Sequence, residues 1–152
     1  PPLVVIQGRA IRDALATLDP AHRAHYNARF EAFRQRLEKL DADLRRLFGP
    51  RSGAQFLVFH PSWGYFARAY GLTQVAIEIE GKEPKPAQLQ KLIAHAREKG
   101  IRVVFVQPQF SSRSAAMVAR EIGGRVVPVD PLAEDWEGSL RAVAAAFEEA
   151  LR

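Results

Sequence analysis

Apolar residues up to Phe48 recur at three- and four-residue spacings, and after Gly53 they gather into short runs separated by amphipathic stretches. The first regime predicts helices, because a side chain returns to the same face about every 3.6 residues. Leu3, Ile6, Ala10, Ile11, Ala14, Leu15 and Leu18 form one such stripe after a Pro-Pro start. "LDPAH" resets the chain, with Asp19 as a natural N-cap and Pro20 at a first helical position. A second stripe, Tyr26, Phe30, Phe33, Leu37, Leu40, Leu44 and Leu47, is spaced 4, 3, 4, 3, 4, 3 with no glycine or proline inside it. At about 1.5 Å per residue this helix is expected to run for about 40 Å, longer than a small lobe needs for its own core, so it reads as a spine. Gly49 and Pro50 in "FGPRSG" end it.

In the second regime the strand candidates are residues 55–59, 74–79, 102–106 and 125–129, and the helix candidates are 63–70, 86–99, 112–122 and 135–151. Four strand-then-helix units of this kind predict a four-stranded parallel sheet covered by helices on both faces. "EKGIRVVFV" and "EIGGRVVPV" place Gly100 and Gly123 where a helix closes just before a β-branched run. The expected architecture is therefore α/β: an N-terminal helical segment, residues 1–49, with the long linking helix, then a Rossmann-like lobe over residues 50–152.

Ligands of an open parallel sheet bind outside the carboxyl ends of its strands, where loops and helix N-termini converge. The residues there are His60, Glu78 and Glu80, Gln107 and Gln109, and Asp130. His60 is followed by Pro61, which biases its backbone to the extended region, so the imidazole is presented at a strand tip. Such an imidazole suits a metal ligand, a general base, or a structural hydrogen bond to a neighbouring loop. Asp130, followed by Pro131, repeats the device; a turn or helix cap is the alternative reading. Together they could share a divalent cation of the Zn²⁺ or Mn²⁺ type, but tetrahedral zinc needs about four ligands, so others must come from elsewhere. The remaining histidines do not supply them: His22 and His25 fall on a charged helix face beside Arg23 and Arg29, His95 reads as a surface position, and Glu78, Glu80 and Glu83 read as second-sphere, mouth or solvated loop residues.

Composition narrows the function classes. With 47% hydrophobic and 26% charged residues the 152-residue chain is an ordinary globular protein. The net charge of +5 is dispersed, with Arg34, Arg36, Lys39, Arg45 and Arg46 alternating with Glu31, Glu38, Asp41 and Asp43, so no nucleic-acid partner is expected. There is no cysteine, hence no disulfide, thiolate metal site or cysteine nucleophile. Neither Ser62 nor Ser111 lies in a nucleophile elbow, and no glycine-rich phosphate loop occurs.

The motifs "LDPAHRAHY", "FLVFHPSWGYFARAYGL", "IEGKEP", "VVFVQPQFSS" and "VVPVDPL" occur in one order over nearly the whole chain. In this set the chain resembles the zinc- and manganese-binding substrate-binding proteins of bacterial ABC importers, whose two lobes are joined by a rigid long helix. The resemblance implies that His60 is the metal ligand offered by the C-terminal lobe and that Asp130 is the carboxylate facing it. Trp63, Glu80, Gln107 and Gln109 would then stand behind these ligands or along the cleft. Members with histidine at the His60 position are zinc-type and those with glutamate are manganese-type, which makes Zn²⁺ the expected ion and Mn²⁺ the alternative. The family's first two histidine ligands belong to an N-terminal lobe, so the chain is expected to be the C-terminal half of such a protein, with the N-terminal lobe and an ABC importer permease as partners. The resemblance also implies export to a periplasmic or extracytoplasmic site, high-affinity zinc binding and no catalysis. Members commonly carry Glu-Pro-Gln-Phe where this chain has "QPQF", so Gln107 removes a negative charge near the site. An α/β enzyme using His60 and Asp130 is the alternative from another class.

Overall fold

The computed structural model describes residues 1–110 and 113–150; Ser111, Ser112 and Leu151, which enter the expectations above, lie outside the described residues. The chain forms two compact units, Pro1–Arg46 and Leu47–Arg152.

In the first unit, helix α1 (Pro2–Leu18) starts with proline at its first turn and is followed by a 3-10 turn (Pro20–His22) and by helix α2 (Arg23–Phe48), which continues into the second unit. Its 26 residues make α2 about 39 Å long. Asp19 makes no side-chain cap. Its carboxylate instead accepts hydrogen bonds from Tyr26 Oη and His22 Nδ1, both at 2.8 Å, and so ties the interhelical turn to α2. The apolar stripe expected on α1 is not the buried one. Leu3, Ile6, Ile11, Leu15 and Leu18 are exposed, and Ala16 is the buried residue of the helix. The reason is steric. Gly8 meets α2, where a Cβ would lie 3.2 Å from the Phe33 ring and 3.3 Å from that of Phe30, so the helix side with the smallest side chain makes the close approach. On α2, Leu37, Leu40 and Leu44 are buried, while Arg45–Asp41 and Arg46–Asp43 pairs at 2.7 Å, together with Arg34 between Glu31 and Glu38, occupy its polar positions.

The second unit alternates strand and helix: β1 (Gln55–Val58), α3 (Gly64–Ala69), β2 (Thr73–Ala76), α4 (Pro86–Glu98), β3 (Val103–Val106), α5 (Arg113–Glu121), β4 (Arg125–Pro128) and α6 (Trp136–Ala150). All neighbouring strands are parallel, in the order β2-β1-β3-β4. Alternation along the strands builds two cores. Leu57, Val104 and Val106 pack with Leu89 and Ala96 of α4 and with Ala115, Val118 and Ala119 of α5. On the opposite face the Phe147 ring of α6 lies 5.0 to 5.2 Å from those of Phe48, Phe56 and Phe105. Gly100 and Gly123, both at φ +64°, close α4 and α5, as the sequence predicts.

Strand β2 ends three residues earlier than expected. It pairs only with β1, and the ladder stops at Val58–Ala76. Beyond it, Ile79 bridges back to Lys82 across Glu80 and Gly81, whose φ values of +53° and +77° are those of a type I′ turn.

Candidate metal centre

Strand β1 stops where the sequence supplies a proline, since Pro61 has no N–H to extend the ladder. The Ser62 N–H donates to the His60 carbonyl at 2.8 Å, closing a three-residue turn around Pro61. The imidazole is left at the tip of an inner strand.

Two neighbours meet it there, and the sheet register dictates which. The β1–β2 pairing joins Gln55 to Thr73 and Val58 to Ala76, an offset of 18 residues that, continued, brings Glu78 beside His60. The β1–β3 pairing joins Leu57 to Val104, an offset of 47 that brings Gln107 to the other side. Glu78, His60 and Gln107 thus form one lateral row across three strand ends. His60 Nδ1 lies 2.7 Å from Glu78 Oε1. The Glu78 side chain is 6% exposed and that of His60 41%. A carboxylate only accepts, so Nδ1 carries the hydrogen, and in the neutral ring Nε2 keeps the lone pair a metal needs. Phe110 stacks on the ring at 4.8 Å and 20°, limiting its rotation. Gln107, 2% exposed, donates from Nε2 to the His60 carbonyl at 3.1 Å and to Ser62 Oγ at 2.7 Å.

Asp130 follows β4. Its Oδ1 accepts from the Leu132 N–H at 2.9 Å, a turn across Pro131, and from Gln109 Nε2 at 3.0 Å. The turn reading and the ligand reading are therefore compatible, because Oδ2 makes no hydrogen bond among the described residues. With β3 between them, the tips of β1 and β4 are about 10 Å apart at the backbone. Gln109 on Asp130 and Phe110 on His60 are consecutive and connect the two. No group of three or more His, Cys, Asp or Glu side chains that could hold a metal ion occurs among the described residues, where His60 and Asp130 stand as two candidate donors.

The other expected residues fall around this row in different ways. Trp63 is buried, with its backbone N–H on Gln74 Oε1 at 3.0 Å and its ring edge-on to Phe66 at 5.7 Å. Glu80 is exposed at the head of the type I′ turn, and it is Glu78, two residues earlier, that turns inward. His95 is not a surface residue: half-buried, it bonds Gln55 Oε1 through Nε2 at 2.8 Å and ties α4 to the first residue of β1. His22 is engaged by Asp19 and His25 lies edge-on to Tyr26. The sequence places Glu78 and Glu80 alike beyond the second strand; what singles out Glu78 is the 18-residue register, visible only once β1 and β2 are paired.

Parallel βα units thus bring an imidazole and a carboxylate to the carboxyl edge of one sheet, the edge at which open α/β sheets bind ligands. Over residues 1–150 the chain matches the family described as the periplasmic zinc-uptake complex component A, ZnuA, and it belongs to that family. A crystal structure of ZnuA superposes with a TM-score of 0.94 at 44% identity, covering 100% of this chain and 60% of that one. The high-affinity zinc uptake system protein ZnuA of Bacillus subtilis strain 168 is 30% identical over 116 residues, 75% of this chain and 36% of that protein. The zinc-binding protein AdcA of Streptococcus pyogenes serotype M3 is 27% identical over 134 residues, 87% of this chain and 26% of that protein. The chain thus spans a quarter to about half the length of such curated relatives.

Proposed function

We propose that the chain is the C-terminal half of an extracytoplasmic zinc-binding component of an ABC importer, and that it holds Zn²⁺ through His60 Nε2 and Asp130. The observation that carries this reading is the His60–Glu78 pair: a strand-tip imidazole whose Nδ1 is tied at 2.7 Å to a buried carboxylate, leaving Nε2 with no hydrogen bond among the described residues. That wiring fixes the tautomer and ring orientation and raises the basicity of the ligating nitrogen. Neutral imidazole with carboxylate suits zinc. The remaining ligands come from an N-terminal lobe of the same protein, and the permease receives the ion. The protein captures and releases its cargo without catalysing a reaction.

The test is a zinc titration of the wild-type chain and of His60→Ala by calorimetry. Wild-type binding that is lost in His60→Ala supports the reading; equal binding by the two proteins overturns it. Asp130→Ala is expected to weaken binding less, because one charged donor is lost while the imidazole remains. Salt-steep affinity for DNA in the same preparation would instead indicate a nucleic-acid module.

A further inference from the structure

We infer that Gln107 is a positioning residue for the metal-binding imidazole, acting as a donor to the His60 carbonyl. The inference rests on the zinc reading of His60. Gln107 stands one residue past β3 and is 2% exposed. Both hydrogens of its Nε2 are spent on the strand tip, one on the His60 carbonyl at 3.1 Å and one on Ser62 Oγ at 2.7 Å. The same carbonyl also accepts the Ser62 N–H at 2.8 Å. The His60–Pro61–Ser62 turn is therefore clasped from two sides, and the backbone from which the imidazole springs is held as firmly as its ring.

The division of labour follows from donor chemistry. Glu78 accepts from the ring and sets which nitrogen faces out; Gln107 donates to the backbone and sets where that nitrogen is. A side chain without a donor at 107 would leave the His60 carbonyl with the Ser62 N–H alone and Ser62 Oγ without this partner. Gln107 Oε1 makes no hydrogen bond among the described residues, so the side chain contributes by donating.

Zn²⁺ titrations of the 152-residue chain, followed on the His60 ring nitrogens by ¹H–¹⁵N NMR and paired with thermal unfolding, test this. Gln107→Met, which keeps length and removes both donors, is expected to shift the His60 ring resonances of the zinc-free protein and to weaken zinc binding about tenfold. Gln107→Ala, which removes the side chain beyond Cβ, is expected to weaken it at least as much. Ser62→Ala, at an exposed position, removes one acceptor of the same amide and is expected to weaken binding about threefold with folding intact. Lowered melting temperatures with wild-type ring shifts and wild-type zinc affinity would make Gln107 a packing residue and overturn the inference, and unchanged affinity in Ser62→Ala does so by itself. His60→Ala separates the two readings: if it leaves zinc binding intact, the metal assignment of His60 fails, whereas its loss of binding beside intact binding in the Gln107 variants overturns the clasp alone.

Discussion

Replacing Glu78 should weaken zinc binding while leaving the fold in place, and the structure sets the size of both effects. A group that orients a metal-ligating histidine is worth about 10–100-fold in affinity, or about 1.4–2.7 kcal/mol. Two features place Glu78→Ala at the upper end. The Nδ1–Oε1 distance of 2.7 Å is that of a strong, charge-assisted bond, and the 6% exposure of the carboxylate leaves little room for water to take its place. Glu78→Gln retains an oxygen acceptor for the Nδ1–H and loses only the charge, so it falls at the lower end. Folding should respond differently. Removing a buried carboxylate also removes its desolvation cost, and the 41% exposed imidazole can be hydrated, so the two terms offset and the melting temperature changes little. Calorimetric zinc titration of wild type, Glu78→Gln and Glu78→Ala, with thermal unfolding as control, measures both. Affinity in Glu78→Ala within about twofold of wild type would refute the orienting role, and so would equal losses in the two variants that merely track lost stability.

The aromatic core and the interhelical turn give two further expectations. Phe147→Ala removes a 3% exposed ring that touches those of Phe48, Phe56 and Phe105, and should cost about 3–5 kcal/mol in urea unfolding; a loss below about 1 kcal/mol would mean that α6 does not hold this core. The Asp19 carboxyl is held below its ordinary range, first by the Tyr26 hydroxyl and then by His22. Because its folded value lies below the unfolded one, its contribution is present above about pH 4 and is lost as the pH falls through the folded value. The melting-temperature gap between wild type and Asp19→Asn should accordingly close on acidification, and a gap that widens would show the sign to be wrong.

The sequence by itself determined what depends on neighbours along the chain. Apolar spacings of three and four specify helices, short apolar runs after Gly53 specify strands, and a glycine before each β-branched run closes a helix, because these are constraints between residues a few positions apart. For the same reason the strand tips at His60 and Asp130 were legible: a proline following each one limits the backbone locally. Which face of α1 is buried was not legible, since the helix is apolar around most of its circumference and the close approach at Gly8 depends on Phe30 and Phe33 of another helix. The end of β2 was not legible either. Ile77–Ile79 has the β-branched character of strand, but β2 has a single partner and the Glu80–Gly81 turn takes the chain away. The row that makes the site was decided by the tertiary structure alone. Glu78 and Gln107 are 18 and 47 residues from His60, and nothing local distinguishes Glu78 from Glu80. Only the pairing of β1 with β2 on one side and with β3 on the other sets the register, and in a parallel sheet a shift of one residue would turn a different side chain toward the imidazole.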